Sequence, residues 1–381
     1  MNDPIAPPTF ERKLASLQVI SELAVHSNAD TLELATVLGW QVVVKKGLFK
    51  VGDLAVLFEV DSVLPEITQF EFLRDKSFRI RTVKLRGEVS QGLCVPPREL
   101  VNDPHFDRLV DLSQHIALSR INEEDGEIYA YRNDDGRLIE LSVGDDMTQI
   151  LGVVKYEPVA GSIPATAKCN FPAFLRKTDE PRIQQSPALL AATLGQLVVM
   201  HEKLDGTSFS AFRYGGEFGV CSRNLELRPE GEDTHYENLN AYWKMVWKYE
   251  LASRSQIPDG FAIQGELVGP GIQGNKYKLK EVDLFVFNVY NITTGEYMDD
   301  DDVEKFCSGR GLNRVPLVYR GLLDAGTTVK QLVESSKGKS ALGDCIREGF
   351  VLRLIDEARN KKGQRISFKV INPDFLLRFD D

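Results

Sequence analysis

A lysine placed directly after a predicted strand is the feature that most constrains this chain. The segment 202–208, with the sequence EKLDGTS, follows the apolar run 197–200. This order predicts a strand that ends at Lys203 and a glycine turn beside it, where the backbone can approach a phosphate closely. A lysine amine is a nucleophile only when it is deprotonated, and burial, a second cation or a metal ion favours that form. The motif alone is also compatible with an exposed lysine beside a β-turn.

Five strand-associated residues follow Lys203 and separate these two interpretations. They are an arginine after a strand (Arg223), a carboxylate between glycines (Glu266), an aromatic residue on a buried strand (Phe287), a carboxylate that opens a strand (Glu348) and a central strand lysine (Lys369). Each has an ordinary explanation when taken alone, such as an edge acid, a core ring or a solvated lysine. Their joint occurrence on predicted strands favours a single site.

Composition and charge exclude several classes of protein. The 381 residues are 43% hydrophobic and 27% charged, an ordinary composition for a chain of about two domains. No apolar run reaches the about 18 residues of a membrane span, and the N-terminus has no secretory signal. Five dispersed cysteines without a CxxC pair predict neither a disulfide framework nor a zinc site. We therefore expect an intracellular protein, cytoplasmic or nuclear, without membrane association.

The N-terminal region predicts a small β-rich module. Short apolar strands at 31–37, 40–44 and 54–60 are separated by turn signals, a spacing typical of an OB-fold barrel. The net charge of −10 disfavours nucleic-acid binding in general, but residues 74–86 are locally basic. Over 78–86 we predict a bulged strand whose basic stripe could follow a phosphate backbone; the stripe consists of Arg79, Arg81, Lys84 and Arg86. A solvated strand face explains the same pattern equally well.

Three ranges follow from this pattern. Residues 1–100 form the OB-like nucleic-acid-binding module, residues 101–165 a connector with an Asp-Gly hairpin, and residues 166–381 the domain that contains Lys203. The last range alternates strands and helices, as in α+β folds. One predicted helix, over 240–252, places Trp243, Trp247 and Leu251 on one face.

These residues resemble the covalent nucleotidyltransferase superfamily of ATP-dependent ligases and RNA capping enzymes. They are most similar to RNA ligases with an N-terminal OB module and a C-terminal adenylyltransferase domain. Four segments carry the resemblance before Lys203: 39–44 (GWQVVV), 83–93 (VKLRGEVSQGL), 151–158 (LGVVKYEP) and 177–184 (KTDEPRIQ). The resemblance implies an α+β fold class, with a small OB-like β-barrel joined to a mixed α/β nucleotidyltransferase domain.

The resemblance also implies a role for each candidate. Lys203 attacks the α-phosphate of ATP and carries AMP as a phosphoramide, Glu348 organises a divalent metal ion, Mg²⁺ or Mn²⁺, and Lys369 contacts the α-phosphate. The remaining candidates bind the nucleotide: Glu202 at the adenine amino group, Phe287 on the adenine ring, Arg223 and Glu266 at the ribose and phosphates, Asp205 and Gly206 in the turn, and Arg182 at a phosphate. Lys369 and the metal ion are expected to depress the pKa of Lys203, since each opposes a second positive charge.

Two positions depart from the family pattern. Related ligases often carry two lysines, spaced Lys-x-Lys, on one face of the last strand, and Ser367 occupies the earlier position here. Arg365 lies on the same predicted face and is a candidate for the missing charge. Asn288 stands where several relatives have aspartate, so we give it no role.

The implied substrate is a 3′-hydroxyl and a 5′-phosphate held together at a nick in a duplex, with RNA on the 3′-hydroxyl side. A monomer that seals such breaks would act in RNA repair. The chain ends nine residues after Asn372, where DNA ligases and capping enzymes usually continue into another OB domain. Two alternatives stay open: an mRNA guanylyltransferase or DNA ligase of the same superfamily, and a non-catalytic OB-type nucleic-acid-binding protein.

Overall fold

The computed structural model describes residues 12–101, 103–113, 127–156, 166–230, 235–360 and 363–379. Contacts within the chain define two units, of which one comprises Glu11–Ala160 with Leu376–Asp381 and the other Met1–Phe10 with Gly161–Phe375. We call them the N-terminal unit and the ligase-motif unit, because the second contains Lys203. The division of the chain at residues 100 and 165 stays a prediction.

The N-terminal unit is built from short strands. Its strands and helix are β1 (Ala15–Val19), β2 (Glu22–Val25), β3 (Leu32–Val37), β4 (Trp40–Lys45), β5 (Leu54–Phe58), β6 (Ser62–Val63), β7 (Thr82–Leu85), β8 (Glu88–Gln91), β9 (Leu93–Val95), α1 (Pro97–Val101), β10 (Leu109–Asp111), β11 (Tyr129–Arg132), β12 (Leu138–Glu140) and β13 (Val154–Lys155). The pairs β3–β4 and β11–β12 are the hairpins that the turn signals predict.

Alternation along the strands forms the core of this unit. In β4 the side chains of Trp40, Val42 and Val44 are buried, whereas those between them are partly exposed. The antiparallel sheets have the orders β2–β3–β4, β1–β5–β9 and β10–β11–β12, with the pairs β7–β8 and β6–β13 beside them. Among the described residues these pairings do not close into a continuous barrel.

Residues of the predicted connector contribute to the N-terminal core. Tyr129, Met147 and Leu151 are buried in the same cluster as Leu17 and Phe58. The hydrophobic core therefore extends well beyond residue 100, because the apolar faces of the connector hairpin need a partner surface.

The ligase-motif unit alternates strands and helices. Its elements are β14 (Ala167–Asn170), α2 (Pro187–Thr193), β15 (Leu197–Glu202), β16 (Thr207–Tyr214), β17 (Glu217–Cys221), β18 (Leu225–Leu227), α3 (Ala241–Lys248), β19 (Phe261–Val268), β20 (Asp283–Asn291), β21 (Glu296–Tyr297), α4 (Asp300–Ser308), β22 (Asn313–Arg314), β23 (Leu317–Leu322), α5 (Val329–Ser335), β24 (Gly349–Leu354) and β25 (Ser367–Ile371). A last helix, α6, spans Pro373–Phe379.

Two sheets organise the ligase-motif unit. The larger has the order β14–β18–β17–β16–β19–β20–β21, with β22 parallel to β20, and the smaller has the order β23–β15–β24–β25. Helices α3 and α4 pack their apolar faces on the larger sheet, where Trp243 and Phe306 join its core. The structure is thus mixed α+β with mostly antiparallel pairing, as the sequence predicts.

The predicted helix over 240–252 is shorter than expected. It ends at Lys248, and Glu250 has a positive φ of 50°. Trp243 and Leu251 are buried, but Trp247 is 60% exposed, so its place on the buried face was wrong. A side chain at 251 reaches the core through the turn after the helix rather than through helical periodicity.

Two observations bear on the class of protein. Across the residues that the structure describes, the helices are too short or too polar to cross a membrane. All five cysteines have free thiols.

The burial of Trp40 generates a prediction about the N-terminal core. Trp40 is fully buried, so Trp40→Ala should lower the free energy of unfolding by about 3–5 kcal/mol. Val25 on β2 is 84% exposed, and Val25→Ala should change the free energy of unfolding by no more than about 0.5 kcal/mol. Denaturant unfolding followed by circular dichroism measures both variants. Equal effects for the two would contradict the assignment of Trp40 to the core.

Candidate active site

A cleft between the two sheets of the ligase-motif unit collects most of the predicted residues. The smaller sheet supplies one wall and the larger sheet the other. Seven candidates line the cleft, namely Glu202, Lys203, Gly206, Arg223, Glu266, Phe287 and Lys369. Three further candidates lie next to these residues. Glu348 pairs with Lys203, Arg182 pairs with Lys369, and Asp205 directly precedes Gly206.

Lys203 lies at the mouth of β15, where the sequence motif places it. Its backbone N–H donates to the carbonyl of Gly349 at 3.0 Å, which continues the pairing of β15 with β24. Its Nζ lies 2.7 Å from Oε1 of Glu348, the residue before β24. Burial lowers the pKa of Lys203, but attraction by Glu348, Glu266 and Asp205 outweighs it and holds the pKa above its ordinary value.

Lys369 shows the opposite behaviour. It is central in β25 and lies opposite Val351 of β24. Its backbone also forms a parallel β-bridge with Arg182, which brings that predicted arginine to the site. Burial, together with repulsion from Lys203 and Arg182, lowers the pKa of Lys369 to about 7. The expected depression of the pKa of Lys203 was therefore wrong for the chain without nucleotide and metal ion. The surrounding carboxylates stabilise the charge on Lys203, and the charge on Lys369 is the less stable of the two.

Two glutamates on the walls are also perturbed. Burial, reinforced by the negative charges of Glu348 and Asp205, raises the pKa of Glu266 to about 8. Burial likewise raises the pKa of Glu202. One carboxylate oxygen of Glu202 accepts from the backbone N–H of Ala341 at 2.9 Å, whereas Oε1 is buried without a hydrogen-bond partner among the described residues. A buried acceptor without a donor is a natural place for a ligand amino group.

The Asp205–Gly206 turn is packed tightly against β19. A Cβ added at Gly206 would lie 2.1 Å from the carbonyl oxygen of Leu267 and 2.9 Å from Cγ of Glu266. The glycine is thus required because a neighbouring strand backbone occupies the space, and not because of a positive φ. Close packing of the turn on β19 brings Lys203 and Glu266 to the same cleft.

Arg223 and Phe287 lie on the wall of the larger sheet. Arg223 follows β17, is exposed, and forms an ion pair of 2.7 Å with Asp179, which also lines the cleft. Phe287 is half-buried on β20 and lines the cleft. Its backbone carbonyl accepts a hydrogen bond from Arg353 at 3.0 Å.

Arg353 is a lining residue that the sequence argument missed. It lies on β24, and besides Phe287 it donates to Oδ1 of Asn288 at 2.8 Å and to Glu180 at 3.2 Å. Its position, two residues after Val351 in the EGFVLR run, was a usable signal because alternate strand residues face the same side. Arg365, the predicted replacement for a lysine, does not line the cleft: it pairs with Glu357 and stacks on the Tyr297 ring at 4.1 Å.

The basic stripe of the N-terminal unit is not one continuous exposed face. Arg79 is 9% exposed, pairs with Asp61 at 2.7 Å and lies over the ring of Tyr156, so the expectation of a solvent-facing Arg79 was wrong. The predicted bulged strand was also wrong in extent, because Ser77 and Phe78 have positive φ and β7 begins at Thr82. Arg81 is half-buried, and the exposed members are Lys84 and Arg86 at the β7–β8 turn.

The described residues contain no group of three histidine, cysteine or acidic side chains arranged to hold a metal ion. Mg²⁺ needs few protein ligands, because it keeps several waters and binds one or two carboxylates together with substrate phosphates. Glu348, which already faces the ammonium group of Lys203, provides such a carboxylate.

Comparisons with known proteins agree with this geometry. Residues 196–371 match the RNA ligase family model, and residues 14–97 match an OB-fold domain model. No curated protein sequence matches the chain.

Solved structures of an RNA ligase from Naegleria gruberi are similar over 97% of this chain. The complex with PPi has a TM-score of 0.74 at 29% identity and is covered over 100% of its length. A lysine-to-methionine mutant with AMP and Mn has a TM-score of 0.74 at 29% identity and is covered over 100% of its length. A lysine-to-alanine mutant with ATP and Mn has a TM-score of 0.70 at 29% identity and is covered over 98% of its length. The resemblance inferred from the motifs is confirmed: the chain joins an OB-fold domain at residues 14–97 to a domain at residues 196–371 that matches the RNA ligase family.

Proposed function

We propose that the chain is an ATP-dependent RNA ligase that acts through a lysyl-AMP intermediate. The observation that carries this proposal is the cleft itself. It combines a partly buried lysine paired with Glu348, a second lysine whose charge is destabilised, and the unsatisfied acceptor of Glu202. The ATP- and AMP-bound states of the similar Naegleria ligase support ATP as the nucleotide.

In the proposed first step the Nζ of Lys203, after losing a proton to solvent, attacks the α-phosphorus of ATP. A nitrogen–phosphorus bond forms, the bond between the α-phosphorus and the bridging oxygen breaks, and pyrophosphate leaves. The AMP then passes to a 5′-phosphate end, and a 3′-hydroxyl displaces it to form the phosphodiester. Phosphoryl transfer depends mainly on in-line positioning and on cations at the phosphate oxygens.

The remaining residues bind the nucleotide. Glu202 accepts from the adenine amino group with its unpaired Oε1, and Phe287 stacks on the ring. Arg223 and Glu266 hold the ribose and phosphate region, while Arg182 and Lys369 bind phosphate oxygens. A phosphate beside Lys369 favours its charged form, so nucleotide binding reverses the low pKa seen without it.

A divalent cation, Mg²⁺ or Mn²⁺, would be held through Glu348 and the nucleotide phosphates. When bound it would neutralise phosphate charge and compete with Lys203 for the Glu348 carboxylate. Removing that carboxylate from Lys203 favours the neutral amine, because the pair with Glu348 is one cause of the raised pKa of Lys203.

Substitution of Lys203 tests the covalent step. Lys203→Ala and Lys203→Arg should both abolish the AMP adduct, since arginine keeps the charge but is not deprotonated to act as a nucleophile. Intact-protein mass spectrometry after incubation with ATP and Mg²⁺ or Mn²⁺ detects the adduct. A parallel incubation with GTP separates a ligase from a capping enzyme. An adduct of normal yield on either variant would rule out Lys203 as the nucleophile.

Lys369 should control the pH dependence of adenylylation. Because the pKa of Lys203 is raised, the wild-type rate should increase with pH above neutrality as the amine loses its proton. Lys369→Met removes a positive neighbour, so the pKa of Lys203 should rise further and the profile should move to higher pH. Single-turnover rates across pH measure the shift.

An exposed lysine of the same unit provides the control for this profile. The side chain of Lys339 is 74% exposed, and Lys339→Met should leave the profile in place. If Lys369→Met had the wild-type rate and profile, both of its proposed roles would be contradicted.

For the substrate we propose a nick in a duplex with RNA on the 3′-hydroxyl side, sealed in RNA repair by an intracellular monomer. We also propose that the OB-fold domain closes into a small barrel that grips the duplex. Contacts to phosphates fix position and depend on salt, while a 2′-hydroxyl distinguishes RNA from DNA. Lys84 and Arg86, at the exposed β7–β8 turn, are the members of the basic stripe best placed for such contacts.

Two paired substitutions test this assignment without cutting the N-terminal core, which deletion at residue 100 would do. Lys84→Ser with Arg86→Ser should weaken nick sealing and reduce the salt slope of duplex binding by about one per lost contact, while adenylylation is unchanged. Lys45→Ser with Lys46→Ser makes the same charge change at another exposed turn of the unit. Equal losses from both pairs would show that only overall charge matters.

A further inference from the structure

The loop between β19 and β20 makes two contacts with Asp205 that the proposed chemistry does not use. The backbone N–H of Asp205 donates to Oη of Tyr277 at 2.6 Å. The ammonium group of Lys276 forms an ion pair with the Asp205 carboxylate. Two adjacent residues of one loop therefore hold both the backbone and the side chain of the residue two positions after Lys203.

The loop is built to present these two side chains. Gln273, Asn275 and Lys278 all have positive φ, at 45°, 47° and 55°. Non-glycine residues adopt this conformation only where their surroundings determine it. The side chain of Asn275 fixes the loop by donating to the carbonyl of Leu279 at 2.9 Å and accepting from its N–H at 3.0 Å.

Both side chains make further contacts. Tyr277 is 4% exposed and packs in a cluster with Leu204, the residue before Asp205. Lys276 is 16% exposed in its side chain, and its Nζ lies 5.2 Å from the ring centroid of Phe375. The tyrosine therefore supports the turn, while the lysine supplies a charge at its edge.

Electrostatics indicates what that charge is for. Glu348, Glu266 and Asp205 surround Lys203, and a nucleotide whose α-phosphate reaches Lys203 brings several negative charges into this acidic setting. An unpaired Asp205 carboxylate would repel that triphosphate. The Lys276 and Asp205 side chains are only 16% and 21% exposed, so solvent screens their charges little and the lysine effectively offsets the carboxylate.

We propose that Lys276 and Tyr277 are positioning residues, which neutralise Asp205 toward the incoming triphosphate and hold the turn that presents Lys203. Lys276 acts on nucleotide affinity, because it offsets a charge. Tyr277 acts on the rate of the transfer step, because it fixes backbone geometry. The inference rests on the proposed binding of ATP in this cleft, and it extends the site to a loop outside the family motifs quoted above.

Binding of α,β-methylene-ATP, which cannot transfer AMP, tests the role of Lys276 by calorimetry in the presence of Mg²⁺. Lys276→Met should weaken binding about tenfold, as expected for uncovering one charge near a phosphate. Lys276→Arg, which keeps the charge, should restore most of the affinity. Lys280→Met changes an exposed lysine of the same loop and should bind like wild type.

A double-mutant cycle separates this role from a structural one. In an Asp205→Asn background there is no carboxylate charge to offset, so Lys276→Met should no longer weaken binding. The inference is overturned if Lys276→Met binds within about twofold of wild type, or if its full effect persists in the Asp205→Asn background.

Tyr277→Phe should lower the maximal single-turnover rate of adenylylation while leaving affinity for the analogue unchanged. A variant with the wild-type rate would remove Tyr277 from the proposal. Failure of the proposed function is distinguishable from failure of this inference. If wild type forms no AMP adduct but Lys276→Met still weakens analogue binding, the ligase mechanism falls and the role of Lys276 stands.

Discussion

The ion pair between Lys203 and Glu348 depends on the register of one antiparallel ladder, and the rest of the site follows from that register. Glu202 pairs with Phe350 across β15 and β24, so Lys203 lies opposite Gly349, and Glu348, one residue further along, comes within reach of its ammonium group. The next pairing, Val351 with Lys369, brings the second lysine to the same face. A shift of one residue would turn these side chains to the opposite face, where the buried core residues lie.

The same pairing explains why the two lysines differ. Both are partly buried, and desolvation disfavours a charged amine in each case. Three carboxylates compensate at Lys203, whereas Lys369 faces two cations, Lys203 and Arg182. The nucleotide-free cleft therefore favours the protonated form of Lys203, the proposed nucleophile, and disfavours the charge on Lys369. Arrival of phosphate and a divalent cation would reverse both preferences, which couples activation of the amine to the presence of its substrate.

Much of the fold and the central set of site residues could be predicted from the sequence. Apolar runs beside turn signals are a local property, and they identified strands such as β4 and β15; the order of polar residues along the predicted strands then predicted Lys203, Glu266 and Lys369 in one site. What failed depends on contacts distant in sequence. The burial of Arg79 depends on Asp61, 18 residues away, and the exposure of Trp247 depends on where the core of the larger sheet ends.

The departure at Ser367 shows how a missing lysine is accommodated. The family pattern suggested Arg365 as the replacement, but Arg365 pairs with Glu357 and stacks on the Tyr297 ring, and it approaches the lining residue Glu180 only at 3.8 Å. Arg353 of the adjacent strand reaches the lining instead, and it donates to Ser367 at 3.3 Å. A lysine at 367 would bring a second cation to a buried position beside Arg353, whose pKa burial and the charge of Arg365 already lower. A small hydroxyl at 367 thus accommodates Arg353, whose guanidinium group supplies a positive charge to the cleft from the neighbouring strand.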